Sequence, residues 1–448
     1  MEDNFVTITP FSIFFAIAMG ILTIILPRKI ASLPLIIACT YITVSQRILI
    51  FDKDLNIFRI LLLFGWIRLL VRGELTSFKF NAIDKALLAW VVASIISGAL
   101  VDINQFVSCL GLAFNALGSY FLFRFLIHDL DDTEMLFKIL AIIIVPLSIS
   151  MIIEKFTGRN FFSVFGGVPE VTMIRPGEEI NTLSFTLRCQ GPFRHPILAG
   201  TFGATLIPFF VSLWFNKNIS KSIAIMGILG SSIITFTSAS SGPLLAYISV
   251  IVGFMIWPLR RKMRMVRWGI VSAVIALHLY MKDPVWFIFD RIGSVMGGTG
   301  WHRSYLIDQA IRHFDEWWFV GTRYTTHWMP YILPSSPNMI DITNQYIYEG
   351  VSGGVVRLIL FIIIIVVSFR AVGLSLCAME DRPFSRRIMI WSIGISLSAH
   401  VISYLSVAYF DQMIVFWYLL LSVIAALSNE SGDSSVRAKS TLEPIKVC

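Results

Sequence analysis

The chain has 448 residues, of which 56% are hydrophobic and only 14% charged. Soluble domains carry about 25% charged residues, so an ordinary soluble protein is excluded; the mean hydropathy of +0.76 fits a polytopic membrane protein, since one span takes about 20 apolar residues. The net charge of +8 (36 Lys+Arg, 28 Asp+Glu) does not point to nucleic acid, because the basic residues stand at the ends of apolar runs, where membrane loops carry them.

Apolar runs fall near 11–27, 30–50, 56–72, 83–101, 107–127 and 136–153, and again near 197–215, 222–237, 242–258, 267–281, 354–372, 387–407 and 412–427. Backbone polar groups in lipid must be satisfied within their own segment, so these runs predict an all-α, multi-pass protein of about 12–13 transmembrane helices. Counted as alternating spans, they put Arg28-Lys29, the 73–85 stretch, Lys217 with Lys221, the Arg260–Arg267 cluster and Arg382, Arg386 and Arg387 on one side. The positive-inside rule makes that side cytoplasmic. Residues 1–427 read as a single transmembrane domain and 428–448 as a flexible, Ser-rich cytoplasmic tail. No basic n-region precedes the first run, so it reads as a retained span, and Cys448 does not sit in a lipidation motif. The five cysteines (39, 109, 189, 377 and 448) are scattered without a CxxC, which suggests neither a disulfide framework nor a zinc site.

Two loops on the opposite side are long, about 154–196 and 282–353, and loops of that size are usually functional. The first ends in Arg188-Cys-Gln-Gly-Pro-Phe-Arg194-His195-Pro196, two guanidinium groups and an imidazole at the mouth of the bundle. Arginine keeps its charge and offers phosphate a planar fork; the plainer reading is a snorkelling pair beside a Gly-Pro turn. The second carries Asp290-Arg291, then Gly297-Gly-Thr-Gly300-Trp-His302-Arg303, a Gly-rich turn whose helix N-terminus could cradle an anion or simply be a solvated turn. Arg303–Trp318 has Ile307, Ala310, Ile311 and Phe314 at helical spacing and predicts an amphipathic helix suited to the membrane interface. Asp341, Thr343, Asn344 and Gln345 crowd the start of a span, which suggests a polar cavity or a helix cap. The Thr235–Pro243 run of small hydroxyl residues reads first as close helix packing. His128, His400 and Glu154 stand alone near span ends and receive no role. The sequence contains no HExxH, no GxSxG and no plausible metal cluster, so metal ligands and cofactors are not expected.

Arg188-x-x-Gly191-x-Phe193-x-His195-Pro196 at a helix start resembles the RxxGxFxxP signature of the O-antigen ligase/polymerase family. Arg303-x-x-Leu306 leading to Trp318-Phe-Val-Gly321 is similar to that family's later loop, and Thr343-Asn344-Gln345-Tyr346 with a following Gly354 is similar to its HN-x-[YF]…G motif. Together they cover about 190–354 in order, and RCQGPFRHPILAG looks closest to Wzy-type exopolysaccharide polymerases. The resemblance implies a GT-C-like, metal-independent glycosyltransferase in the bacterial inner membrane, with its active site facing the periplasm. It implies a substrate of undecaprenyl-pyrophosphate-linked oligosaccharide repeat units, polymerised into exopolysaccharide or O-antigen, and a chain-length regulator protein as a partner. Arg188 and Arg303 would clamp the pyrophosphate, with Arg194, Arg291, His302, Asn344 and Gln345 contacting substrate. His195 or Asp341 would orient or deprotonate the acceptor hydroxyl. The ligase branch, which transfers a finished glycan to lipid A-core or protein, has a catalytic histidine where this chain has Thr343. A flippase for the same lipid-linked glycan would need cationic residues facing a cavity within the spans, whereas the sequence concentrates them in the two loops.

Overall fold

The computed structural model describes residues 8–44, 46–50, 53–75, 79–103, 106–174, 187–291, 300–330 and 337–440. It is 76% helical. In chain order the helices are α1 (Pro10–Ile25), α2 (Leu33–Tyr41), α3 (Ile57–Val71), α4 (Ala82–Val101), α5 (Phe106–Leu126), α6 (Leu130–Thr157), α7 (Pro196–Trp214), α8 (Lys221–Thr237), α9 (Ser241–Met255), α10 (Met263–Tyr280), α11 (Gly300–Arg312), α12 (Phe314–Trp317), α13 (Gln345–Ala378), α14 (Phe384–Ser403) and α15 (Gln412–Ser440). Two small antiparallel ladders join β1 (Arg47–Ile50) to β2 (Lys53–Asn56) and β3 (Met173–Ile174) to β4 (Leu187–Arg188).

Five helices (α4, α5, α6, α7 and α13) are long and apolar enough to cross a membrane, or six spans if α9 with the stretch through α10, bent by 79°, counts as one. That is fewer than the 12–13 expected, although every run read from the sequence contains a helix. The shortfall has local causes. The 30–50 run yields only nine helical residues in α2 before the chain turns into the β1–β2 hairpin, where Thr43 and Gln46 spend their side chains on loop backbone. α1, α8 and the Gln412–Ser428 part of α15 are apolar but shorter than a full span, and serines with His400 dilute α14. α15 runs on to Ser440, through much of the segment read as a tail, while 441–448 lie outside the described residues.

Ion pairs between loops gather basic residues at one end of the bundle. There Arg28 pairs with Asp132 at 2.8 Å, Arg386 with Asp131, and Arg261 with Glu380. Arg68, fully buried, ends α1 by donating to the carbonyl of Thr23 at 2.6 Å and holds Glu74 at 2.7 Å. From this end α6 runs to Glu154 at the other, and α7 runs back. Close approach of α7 and α8 depends on small residues: a Cβ at Gly200 would lie 2.2 Å from Ser238 Oγ, and one at Gly203 2.6 Å from the Ser231 carbonyl.

The most consequential local feature is a break inside α13. Gly353 and Gly354 leave helical geometry, Gly354 at φ 76° and ψ −179°. The segment after α12 fills the gap: Val355 N–H donates to the Trp318 carbonyl and Thr322 N–H to the Val351 carbonyl, both at 2.8 Å. Neither side tolerates a side chain, since a Cβ on Gly354 would lie 2.2 Å from the Phe319 carbonyl oxygen and one on Gly321 2.4 Å from that of Val351. Gly354→Ala should therefore destabilise the protein by about 2–4 kcal/mol. Gly373→Ala, on the same helix but with open space around it, should change stability by less than about 1 kcal/mol. Thermal unfolding of both variants in detergent checks this; equal midpoints would remove the break as a constraint.

Candidate functional site

The end of the bundle opposite the basic loops carries the residues singled out from sequence. The 188–195 turn is built first. Glu154, at the end of α6 and almost fully buried, accepts the backbone N–H groups of Gln190 at 3.1 Å and Gly191 at 2.9 Å. Asn160 Nδ2 donates to the Gly191 carbonyl at 2.7 Å. Thr43 Oγ1 and Gln412 Nε2 donate to the Pro192 carbonyl at 2.9 and 2.7 Å, and Cys189 N–H reaches the Thr237 carbonyl at 3.1 Å. Gly191 takes φ +54°, a conformation that glycine adopts without penalty. Four elements far apart in sequence thus fix one turn, and the turn aims Arg188.

Arg188 donates from Nη2 to Ser240 Oγ at 3.0 Å, and Arg303, arriving on α11, donates from Nη1 to Ser241 Oγ at 3.1 Å. The two guanidinium groups meet at adjacent hydroxyls of the α8–α9 turn. Each raises the electrostatic cost of the other: burial first, then the Arg188 charge, lowers Arg303 to about 10. Among the described residues no carboxylate pairs with Arg303. A buried cation held by a hydroxyl, beside another cation, is an arrangement an anion would stabilise. The Ser-rich run therefore both packs and binds, since Ser240 and Ser241 receive the two arginines.

His195 caps α7. Its Nδ1 accepts the Ile197 N–H at 3.2 Å, which leaves the ring proton on Nε2 and the neutral ring a hydrogen-bond donor. Burial, then the Arg188 charge, lowers its pKa to about 4. His302 lies beside Thr343, Nδ1 to Oγ1 at 3.5 Å, and beside Asp341. Burial lowers its pKa, Asp341 raises it and Arg303 lowers it further. Asp341 is exposed at the rim; partial desolvation raises its carboxyl, opposed by the His302 charge.

Other expectations are met differently. Asn344 is a cap, its Oδ1 accepting Tyr346 and Ile347 N–H at 2.9 and 3.2 Å. Gln345 is also engaged internally, donating to Glu349 Oε1 at 2.7 Å and accepting Tyr409 N–H at 2.6 Å. Arg194 is exposed, with no hydrogen-bond partner among the described residues, and Arg291 is exposed and stands 4.0 Å from Asp283. The 297–299 part of the Gly-rich turn lies outside the described residues. Along α11, Arg303, Leu306 and Ala310 are buried, while Ile311, and Phe314 at the start of α12, are exposed apolar residues.

Sequence reading missed three features. Glu154, given no role, is the anchor of the turn, and only its three-dimensional partners show this. A cavity of about 230 Å³ lies between α3, α4, α5, α13 and α15, walled by Arg59, Trp90, Tyr348, Glu349, Arg357 and Tyr418 among others. Within it Arg357 pairs with Glu349 at 2.7 Å, both buried, with Trp90 Nε1 donating to the same carboxylate at 3.0 Å. So cationic residues do occur within the spans, beside a cavity. The third is a group of possible ligands: His313, Glu316 and His327 come together, and the spacing His-x-x-Glu around a helix start was a signal available in the sequence. No protein-family model matches the chain, and no curated protein compared with it matches either.

The His195 shift has a pH consequence. Its folded pKa of about 4 lies below the unfolded value of about 6.5, so between these values the unfolded state binds the extra proton. The stability due to the neutral ring is complete above about pH 6.5 and is lost as pH falls toward 4. Thermal midpoints of wild type and His195→Asn, measured from pH 4 to 7.5, should converge as pH falls; a constant difference would place no titration at His195.

Proposed function

We propose that this chain is a bacterial inner-membrane glycosyltransferase of the O-antigen ligase/polymerase type, polymerising oligosaccharide repeat units carried on undecaprenyl pyrophosphate. The observation that carries the reading is the convergence of Arg188 and Arg303 on Ser240 and Ser241, two cations side by side at the mouth. With the basic loops cytoplasmic under the positive-inside rule, this mouth faces the periplasm. In the reaction the anomeric carbon leaves the pyrophosphate oxygen and bonds to an acceptor hydroxyl, whose proton must be accepted. The two guanidinium groups stabilise the charge that develops on the departing pyrophosphate. Asp341, exposed at the rim beside His302, is the better placed acceptor of the proton, because His195 is held with Nε2 protonated and serves as a donor to substrate oxygen.

A second reading, ligation of a finished glycan to lipid A-core or protein, draws on one observation. His302 brings an imidazole to Thr343, the position where the ligase branch carries histidine.

The test is complementation of a strain lacking the gene with wild type, Arg188→Ala or Arg303→Ala at matched membrane levels, with surface and carrier-linked glycans resolved by size. Polymerisation should fall by about 100-fold or more in either variant, with single repeats accumulating on the carrier. Long polymer retained on the carrier and absent from its acceptor favours ligation. Unchanged polymer in both variants overturns the arginine assignment.

A further inference from the structure

Beyond the arginine site, the loop that fills the α13 break holds a second constellation. His313 precedes α12, Glu316 lies within it, and His327 lies on the single turn Thr326–Trp328. His313 Nδ1 and His327 Nε2 both stand 2.9 Å from Glu316 Oε1, and the three ligand atoms lie within 4.8 Å of one another. We propose that His313, Glu316 and His327 bind a divalent transition-metal ion, best Zn²⁺, as a structural clip for this loop.

The donor set is two imidazoles and one carboxylate, with the side that meets solvent left for water, a combination suited to zinc. The surroundings are those of a built site. Trp328 Nε1 donates to Glu316 Oε2 at 3.0 Å, which orients the carboxylate through the oxygen that the histidines leave free. His313 stacks on Trp328, ring centroids 5.5 Å apart and planes within 8°, and meets His327 edge-on at 5.1 Å. All three rings are therefore fixed before a metal arrives. Slight desolvation of Glu316 is outweighed by hydrogen bonds from Trp328, His327 and His313, which hold its carboxyl below the usual range and ionised. Without metal, each imidazole must hold its proton toward Oε1; on binding, the two ring nitrogens offer lone pairs and those protons move to the far nitrogens or to water.

The placement gives the ion a purpose. It would tie the 326–328 turn to α12, and the residues directly after α12 are those that pair with the α13 break. Magnesium and calcium prefer oxygen ligands and should not compete.

The test uses the full chain in detergent or nanodiscs, with any polyhistidine tag removed and metal stripped by chelator. Zn²⁺ titrated by calorimetry should bind at one site per chain and raise the thermal midpoint, while Mg²⁺ does neither. His327→Ala and Glu316→Gln should abolish that site, and Trp328→Phe should weaken it by about 10-fold. Zinc-edge absorption on the wild-type protein gives a reading that does not depend on variants folding. Two imidazoles with oxygen neighbours support the clip; sulfur ligands, or one-site binding unchanged in folded His327→Ala, overturn it. Wild type that binds no zinc overturns it as well.

Discussion

A helix that breaks within an apolar bundle has to find partners for the backbone groups it releases, and this requirement organises the half of the molecule that carries the site. At Gly353–Gly354 the α13 ladder stops, and the carbonyls of Trp318 and Val351 and the N–H groups of Thr322 and Val355 replace it. An unsatisfied group there would cost about 1–3 kcal/mol, so the segment after α12 cannot wander. It brings with it the aromatic packing of Trp317 and Trp328 against Leu306, Ala310 and Ile340. Through α11 it also carries Arg303. The break further allows Arg357 to reach back to Glu349, a pairing between residues eight apart that a continuous helix would hold about 12 Å apart along its axis.

The arginine site is assembled by the same economy of anchors. Glu154 fixes the 190–191 turn, the turn fixes Arg188, and α11 fixes Arg303, with serine hydroxyls as the shared landing point. Placing two cations together in a half-buried mouth destabilises the ligand-free protein. Under the proposed function, the departing pyrophosphate gripped by both forks would relieve that cost, so that fixed charge is turned into affinity without reorganisation.

Much of this was legible in the sequence, for reasons that differ between elements. Apolar runs locate helices because lipid permits little else, and 83–101, 107–127 and 197–215 match α4, α5 and α7 within a residue or so. Arg188, His195 and Arg303 were legible as motifs, and the structure brings them to one mouth. The cap at Asn344 was legible as one of two readings of a polar cluster at a span start, whereas the internal partners of Gln345 were not, because sequence does not print them. The stripe of Ile311 and Phe314 is exposed, whereas the inward turn of Arg303 on α11 was not legible from spacing. Glu154 depends on contacts across loops, beyond any local pattern, and the His313–Glu316 spacing gave a local signal that only the distant His327 completes.

One helix stands apart in how it is held. α10 buries none of its eighteen residues, so the packing that fixes the other long helices is absent. Its ends are not equally free: one follows the Arg260–Lys262 cluster, and the other leads through Trp286, whose carbonyl accepts the Ser304 hydroxyl next to Arg303. Through Trp286 and Ser304, the far end of α10 is therefore joined to the helix that carries Arg303.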